Sequence, residues 1–139
     1  MASSSVASTG SMVRLTRLAR SVYRRTSEEM LGMGLKQYAT LATLRDAPVS
    51  QQTLGELMCI DANNLVLLLN GLEAAGWAAR QRDPHDRRRH IVAISPAGVT
   101  ALEGAERAME AVEDEVLCEL DPAERAQLSR LLGKALADR

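Results

Sequence analysis

The sequence predicts a mainly α-helical fold of six helices that carries one small antiparallel β-hairpin. Three observations predict it. Apolar residues recur at intervals of three and four over most of the 139 residues, the period of an amphipathic helix. Two of these helical stretches are short and meet at a tight turn around Cys59, Ile60 and Asp61. Between Gly76 and Ser95 the helical period lapses into two short strands folded back at Asp83-Pro84. A helix pair followed by such a hairpin is a winged helix-turn-helix.

The elements follow in order. The first helix is predicted over Ser11 to Met30, where Val13, Leu15, Leu18 and Val22 give the apolar face and Gly32 and Gly34 break the run. The second spans Leu35 to Arg45, with Leu35, Tyr38, Leu41 and Leu44 on one face. The ring of Pro48 disfavours a helical residue before it. Ser50 is placed to cap a third helix, Gln51 to Met58, with Leu54 and Leu57 facing inward. Asp61 caps a fourth, Ala62 to Ala75, rich in leucine from Leu65 to Leu72. A strand then leaves at Trp77, a loop dense in arginine turns, and a second strand, His90 to Ile94, returns.

Ser95-Pro96 opens the fifth helix, because serine suits the cap and proline the first helical position. Val99, Leu102, Met109, Val112 and Val116 line one side of it, and Leu102, Met109 and Val116 recur every seven residues, which fits packing along another helix. Asp121-Pro122-Ala123-Glu124 has the capping-box spacing and starts the sixth helix, with Leu128, Leu131, Leu132 and Leu136 as its apolar stripe.

Size and composition bound the function. A hydrophobic fraction of 46% supports one core, so residues 11–139 are expected to form a single domain after a small, polar, disordered tail at 1–10. No stretch of about 18 apolar residues offers a membrane span. The N-terminus lacks the apolar centre of a signal peptide, so a cytoplasmic location is expected. Two cysteines, Cys59 and Cys118, make no disulfide framework. The net charge of −1 hides an asymmetry: residues 1–100 carry +4 and residues 101–139 carry −5. Positive charge gathers at Arg14, Arg17, Arg20, Arg24 and Arg25, and again at Arg80, Arg82, Arg87, Arg88 and Arg89. A chain that is acidic overall still binds duplex DNA when its cations share one face.

The hairpin cluster points that way. Guanidinium groups attract phosphates, and a thin ribbon enters a groove. Arg88 is expected in or at the minor groove, oriented by Asp86, with Arg87 and Arg89 on phosphates. Ser50, Gln51 and Gln52 sit at a helix start whose free N–H groups suit a phosphate. Asn63 and Asn64 can read bases, although Asn63 can also serve only the cap. Tyr23, Met30, Met33 and Tyr38 are candidates for a small-molecule effector site, against ordinary core packing as the other reading. His85 and His90 with Asp83 and Asp86 have no diagnostic metal spacing. Nothing assembles a catalytic constellation or a Gly-rich phosphate loop, so no enzyme, metal or cofactor is expected.

The stretch Asp83-Pro84-His85-Asp86-Arg87-Arg88-Arg89, followed by Val92-Ala93-Ile94-Ser95-Pro96-Ala97-Gly98, resembles the MarR family of winged-helix transcription regulators. That family has an Asp-x-Arg wing, a strand and a Thr/Ser-x-x-Gly helix start. Ser50-Gln51-Gln52, Leu54-Gly55-Glu56-Leu57, Leu72-Glu73 and Gly76 add to the resemblance. It implies a DNA-reading core at 35–98, dimerisation helices at 11–31 and 96–139, and a homodimer on a palindromic operator. It also implies DNA binding that is relieved by a small ligand, most often in a repressor. Asn63, Asn64, Leu65, Val66 and Leu67 depart from the family, which usually carries an arginine near the position of Leu67. Arg80 and Leu67 join the expected DNA contacts, and more of the affinity then rests on the wing and on phosphates. The alternative is a winged-helix protein-interaction module with weak or no specific DNA reading. Burial of both Asn63 and Asn64 would favour it.

Overall fold

Caps written in the sequence set most of the helix ends. In the computed structural model, which describes residues 10–137, the elements run α1 (Ser11–Arg25), α2 (Glu28–Leu31), α3 (Leu35–Leu44), β1 (Val49–Ser50), α4 (Gln51–Met58), α5 (Ala62–Ala74), β2 (Ala78–Asp83), β3 (Asp86–Ile94), α6 (Pro96–Val116) and α7 (Pro122–Leu136). The tail expected at 1–10 lies, except for Gly10, outside the described residues.

Six longer helices are thus joined by a single-turn one. The first predicted helix ends early, because the Ser27 hydroxyl accepts from the Met30 amide and starts a new turn, which Gly32 closes at φ 77°. The Ser50 hydroxyl caps α4 by accepting from the Thr53 amide at 3.1 Å, and the Asp61 carboxylate caps α5 through the Asn64 amide at 2.9 Å. At the start of α7 the Asp121 and Glu124 side chains each accept the other residue's backbone N–H, which completes the predicted capping box.

The sheet has three strands in the order β1-β3-β2, all antiparallel. The sequence reading misses β1, which is two residues long and pairs Val49 with Val92 and Ser50 with Ile91. It also makes the hairpin too short. The ladder extends to Asp83 opposite Asp86, so Arg87, Arg88 and Arg89 lie within β3 rather than in a loop. Charged residues hide this ribbon from apolar alternation, yet backbone pairing holds it.

The described residues group into two compact units, one of the termini up to Arg25 and from Glu110, the other Thr26–Met109. The core of the second unit is built from Leu31, Met33, Leu41, Leu44, Leu54, Leu65, Leu69, Leu72, Val92, Leu102 and Ala105. Leu57 corrects an expectation: it is 41% exposed, and the inward side of α4 runs through Leu54 and the half-buried Met58. In the terminal unit Arg25 pairs with Glu115 at 2.7 Å and Arg125 with Asp114 at 2.6 Å.

A close latch joins the exit of α5 to the entry of α6. Gly76, at φ 77°, and Trp77 donate their N–H groups back to Glu73 and Leu72, which closes α5 with a Schellman motif. The Ser95 hydroxyl donates to the Gly76 carbonyl and accepts from the Gly98 amide, while the Ser95 amide donates to the Trp77 carbonyl. A Cβ on Gly98 would lie 2.1 Å from the Trp77 oxygen, so only glycine fits. Among the described residues no single helix is long and apolar enough to cross a membrane.

Candidate nucleic-acid interface

Three elements of the Thr26–Met109 unit carry the predicted site. The N-terminus of α4 presents Ser50, Gln51 and Gln52, the first turn of α5 presents Asn63 and Asn64, and β3 presents the arginines. A hollow of about 520 Å³ lies among them. Its walls include Ser50, Gln51 and Gln52 from the α4 end, Asp61 and Ala62 from the α5 start, and Arg88, Arg89 and His90 from β3. The two helix starts therefore open onto the same surface as the wing. Free N–H groups at a helix start and guanidinium groups facing the same space suit an anionic backbone.

The wing tip is shaped by two carboxylates acting on the main chain. Asp83 accepts from the His85 amide at 2.9 Å and Asp86 accepts from the Arg88 amide at 3.0 Å. Asp86 thus holds Arg88 through its backbone N–H. Arg82 donates to the Arg87 carbonyl across the ribbon at 3.3 Å. Arg87, Arg88 and Arg89 are exposed and have no carboxylate partner among the described residues. Their charge is therefore not neutralised by any carboxylate among the described residues.

Arg80 is in a different situation. It donates to Glu73 at 2.7 Å and to the Asn70 carboxamide oxygen, and its side chain is only 22% exposed. That guanidinium is committed to bracing β2 against the flank of α5, and it fixes which way the Asn70 amide faces.

The outer face of α5 is uncharged. Leu65, Leu69 and Leu72 face the core, and Asn63, Val66, Leu67 and Asn70 step along the exposed side at helical spacing. Leu67 is 67% exposed. Asn63 and Asn64 are both exposed, but only one has a free carboxamide. Asn64 donates to Asp61 from its amide and, at 2.7 Å, from its side chain. Those two bonds, the backbone one first, hold the Asp61 carboxyl below its ordinary value. The Asn63 side chain has no hydrogen-bond partner among the described residues. The sequence reading passes over Asn70, and it weighs His90 only for metal spacing, whereas the structure sets it in the wall of the hollow. The signal for Asn70 is its place seven residues after Asn63, two turns along the same face.

The effector candidates fall in different settings. Met33 is buried in the core, Tyr38 packs half-buried against it, and Met30 and Tyr23 are exposed. Cys59, in the turn between α4 and α5, takes the left-handed conformation at φ 53° and is exposed.

A family model described as the MarR family matches residues 31–89. A protein of Thauera aromatica described as a transcriptional regulatory protein for the hcr operon is 32% identical over 126 residues, which is 90% of this chain and 73% of the relative. The chain belongs to the MarR family. The MarR protein of Escherichia coli, solved as a cysteine-to-serine mutant complexed with operator DNA, is similar at a TM-score of 0.68 and 25% identity, covering 90% of this chain and 95% of that one. BpsR of Bordetella bronchiseptica, whose DNA binding is regulated by 6-hydroxynicotinic acid, is similar at a TM-score of 0.71 and 25% identity, covering 92% and 94%. As a MarR-family transcription regulator the chain has the winged-helix fold its sequence predicts, and its relatives are described as regulators rather than enzymes.

Proposed function

We propose that this MarR-family chain is a sequence-specific repressor that binds a palindromic operator as a homodimer and releases it in response to a small organic effector. The observation that carries the DNA contact is the shared surface of the α4 and α5 starts and the unpaired arginines of β3. In this reading α5 enters the major groove. Ser50, Gln51 and Gln52 take a phosphate through the α4 N-terminus, Arg88 reaches the minor groove, and Arg87 and Arg89 take flanking phosphates. Asn63 and Leu67 face bases. Asn64, Arg80 and Asp86 hold the reading parts in place.

Dimerisation is supported by apolar side chains left in solvent on the terminal helices. Met12, Val13 and Leu15 of α1 and Leu131, Leu132 and Leu136 of α7 are all exposed in the single chain. Apolar surface of this extent favours burial against a second copy. A two-fold dimer in turn asks for an inverted repeat in the DNA. Effector response rests on the likeness to BpsR, with Tyr23, Met30, Met33 and Tyr38 as first candidates for its contacts.

The double substitution Arg87→Ala with Arg88→Ala tests the DNA-binding claim. Operator binding in a gel-shift assay should be lost, while sedimentation still reports two chains per particle. Unimpaired binding by this variant refutes the assignment of the wing. Exposure of Asn63 and Asn64 weighs against the protein-interaction alternative, which would gain if the wild type bound no duplex.

A further inference from the structure

We infer that the operator half-site of this protein is read in the major groove through A·T pairs, with Leu67 and Val66 packing on thymine methyl groups and Asn63 pairing with an adenine. The inference rests on the DNA-binding reading above and adds what that reading leaves open, the base identity.

Four observations lead to it. The outward face of α5 consists of Asn63, Val66, Leu67 and Asn70, none of them charged. Guanine is read most commonly by arginine or lysine reaching O6 and N7, and α5 contains neither residue. Arg80, the cation beside it, is spent on Glu73 and Asn70. The polar groups that remain are three carboxamides in unequal states. Asn64 is tied to Asp61, and the Asn70 oxygen already accepts from Arg80. The Asn63 carboxamide keeps both its acceptor and its donors, the pair that adenine N6 and N7 require.

Leu67 settles the remaining preference. A leucine that is 67% exposed on the outer side of a helix gains nothing from the fold. In a major groove the one apolar group a base offers is the C5-methyl of thymine. Leu67 lies one turn beyond Asn63, so a leucine–methyl contact and an asparagine–adenine contact sit on neighbouring base pairs. Val66, at the edge of the same stripe, has room for a second methyl.

The methyl group can be removed without touching the protein. Take the tightest duplex recovered by selection from a random pool, and replace each half-site thymine in turn by deoxyuridine. At the contacted position affinity should fall about four-fold for each methyl lost from a buried contact. Leu67→Ala should bind the thymine duplex more weakly and should no longer distinguish it from the deoxyuridine duplex. Because Leu67 is exposed, this variant keeps the wild-type melting temperature. Asn63→Ala should relax selection at one adenine while keeping the thymine preference. Equal binding of thymine and deoxyuridine duplexes by the wild type, or a half-site core built on G·C pairs, overturns the inference and leaves DNA binding intact. Recovery of no duplex at all overturns the regulator reading and this inference together.

Discussion

Gly98 and Gly104 lie six residues apart in α6, and helix propensity alone predicts that alanine at either stabilises the protein by about 1 kcal/mol. The structure reverses the sign at one of them. A Cβ at Gly98 would stand 2.1 Å from the Trp77 carbonyl oxygen and 2.8 Å from Ile94 Cγ1, while at Gly104 the nearest atom is the flexible end of Arg107 at 3.9 Å. Relief at Gly98 means moving backbone by about 1 Å, which separates the entry of α6 from the exit of α5. Overpacking of this kind costs about 1–3 kcal/mol. The two Ser95 hydrogen bonds across the same latch, hydroxyl to the Gly76 carbonyl and amide to the Trp77 carbonyl, add about 1 kcal/mol each when lost. Less the propensity gain, Gly98→Ala should destabilise by about 2–4 kcal/mol, which for a chain of this size lowers Tm by about 6–16 °C. Gly104→Ala should raise it by about 2–4 °C. Circular-dichroism melts at one fixed protein concentration read both values, since an oligomer's Tm depends on concentration. A Gly98→Ala protein that melts at or above wild type would refute the latch as the joint between α5 and α6.

Other outcomes follow from the same structure. Leu54→Ala should cost about 2–5 kcal/mol in urea unfolding, because Leu54 is fully buried. Leu57→Ala, at an exposed position on the same helix, should stay within about 0.5 kcal/mol of wild type. The Asp61 carboxyl is held below its ordinary value of 3.8 in the folded state, so its contribution is complete above that pH and is lost as pH falls through the lower, folded value. Acid unfolding of Asp61→Asn, which keeps a capping side chain without the charge, should therefore be shallower than wild type below about pH 3.8, and the two should run parallel at neutral pH. For the wing, Arg87→Ala and Arg89→Ala, at the two proposed phosphate contacts, should each lower the slope of log affinity against log salt by about 1, and an unchanged slope in both would refute those contacts.

Much of the reading head is legible in the chain because local chemistry marks it. Ser50, Asp61, Asp121 and Gly76 each fix a helix end through a bond to the adjacent turn, and the structure places those ends within a residue of expectation. The misses are of another kind. Ser27 starts a turn inside an apolar pattern that reads as continuous, so α1 ends five residues early. β1 is two residues that become a strand only because β3 runs beside them, and no sequence pattern announces a distant partner. The ladder from Asp86 to His90 is carried by backbone bonds under charged side chains, where period-two hydrophobicity has nothing to report. At the interface, residue types locate the wing and the α5 start. The pairing of Arg80 with Glu73 and Asn70 arises from the placement of β2 beside α5, while the tie of Asn64 to Asp61 is a side-chain bond within the cap, and the two together decide which polar side chains stay free on that face.

Selection of bound sequences from a random duplex pool by the purified wild-type protein, at moderate salt, tests the central claim most directly. An inverted repeat whose two halves lie about one helical turn apart, bound by two chains, should be enriched. Recovery of unrelated sequences, with binding that depends on salt alone, would contradict it.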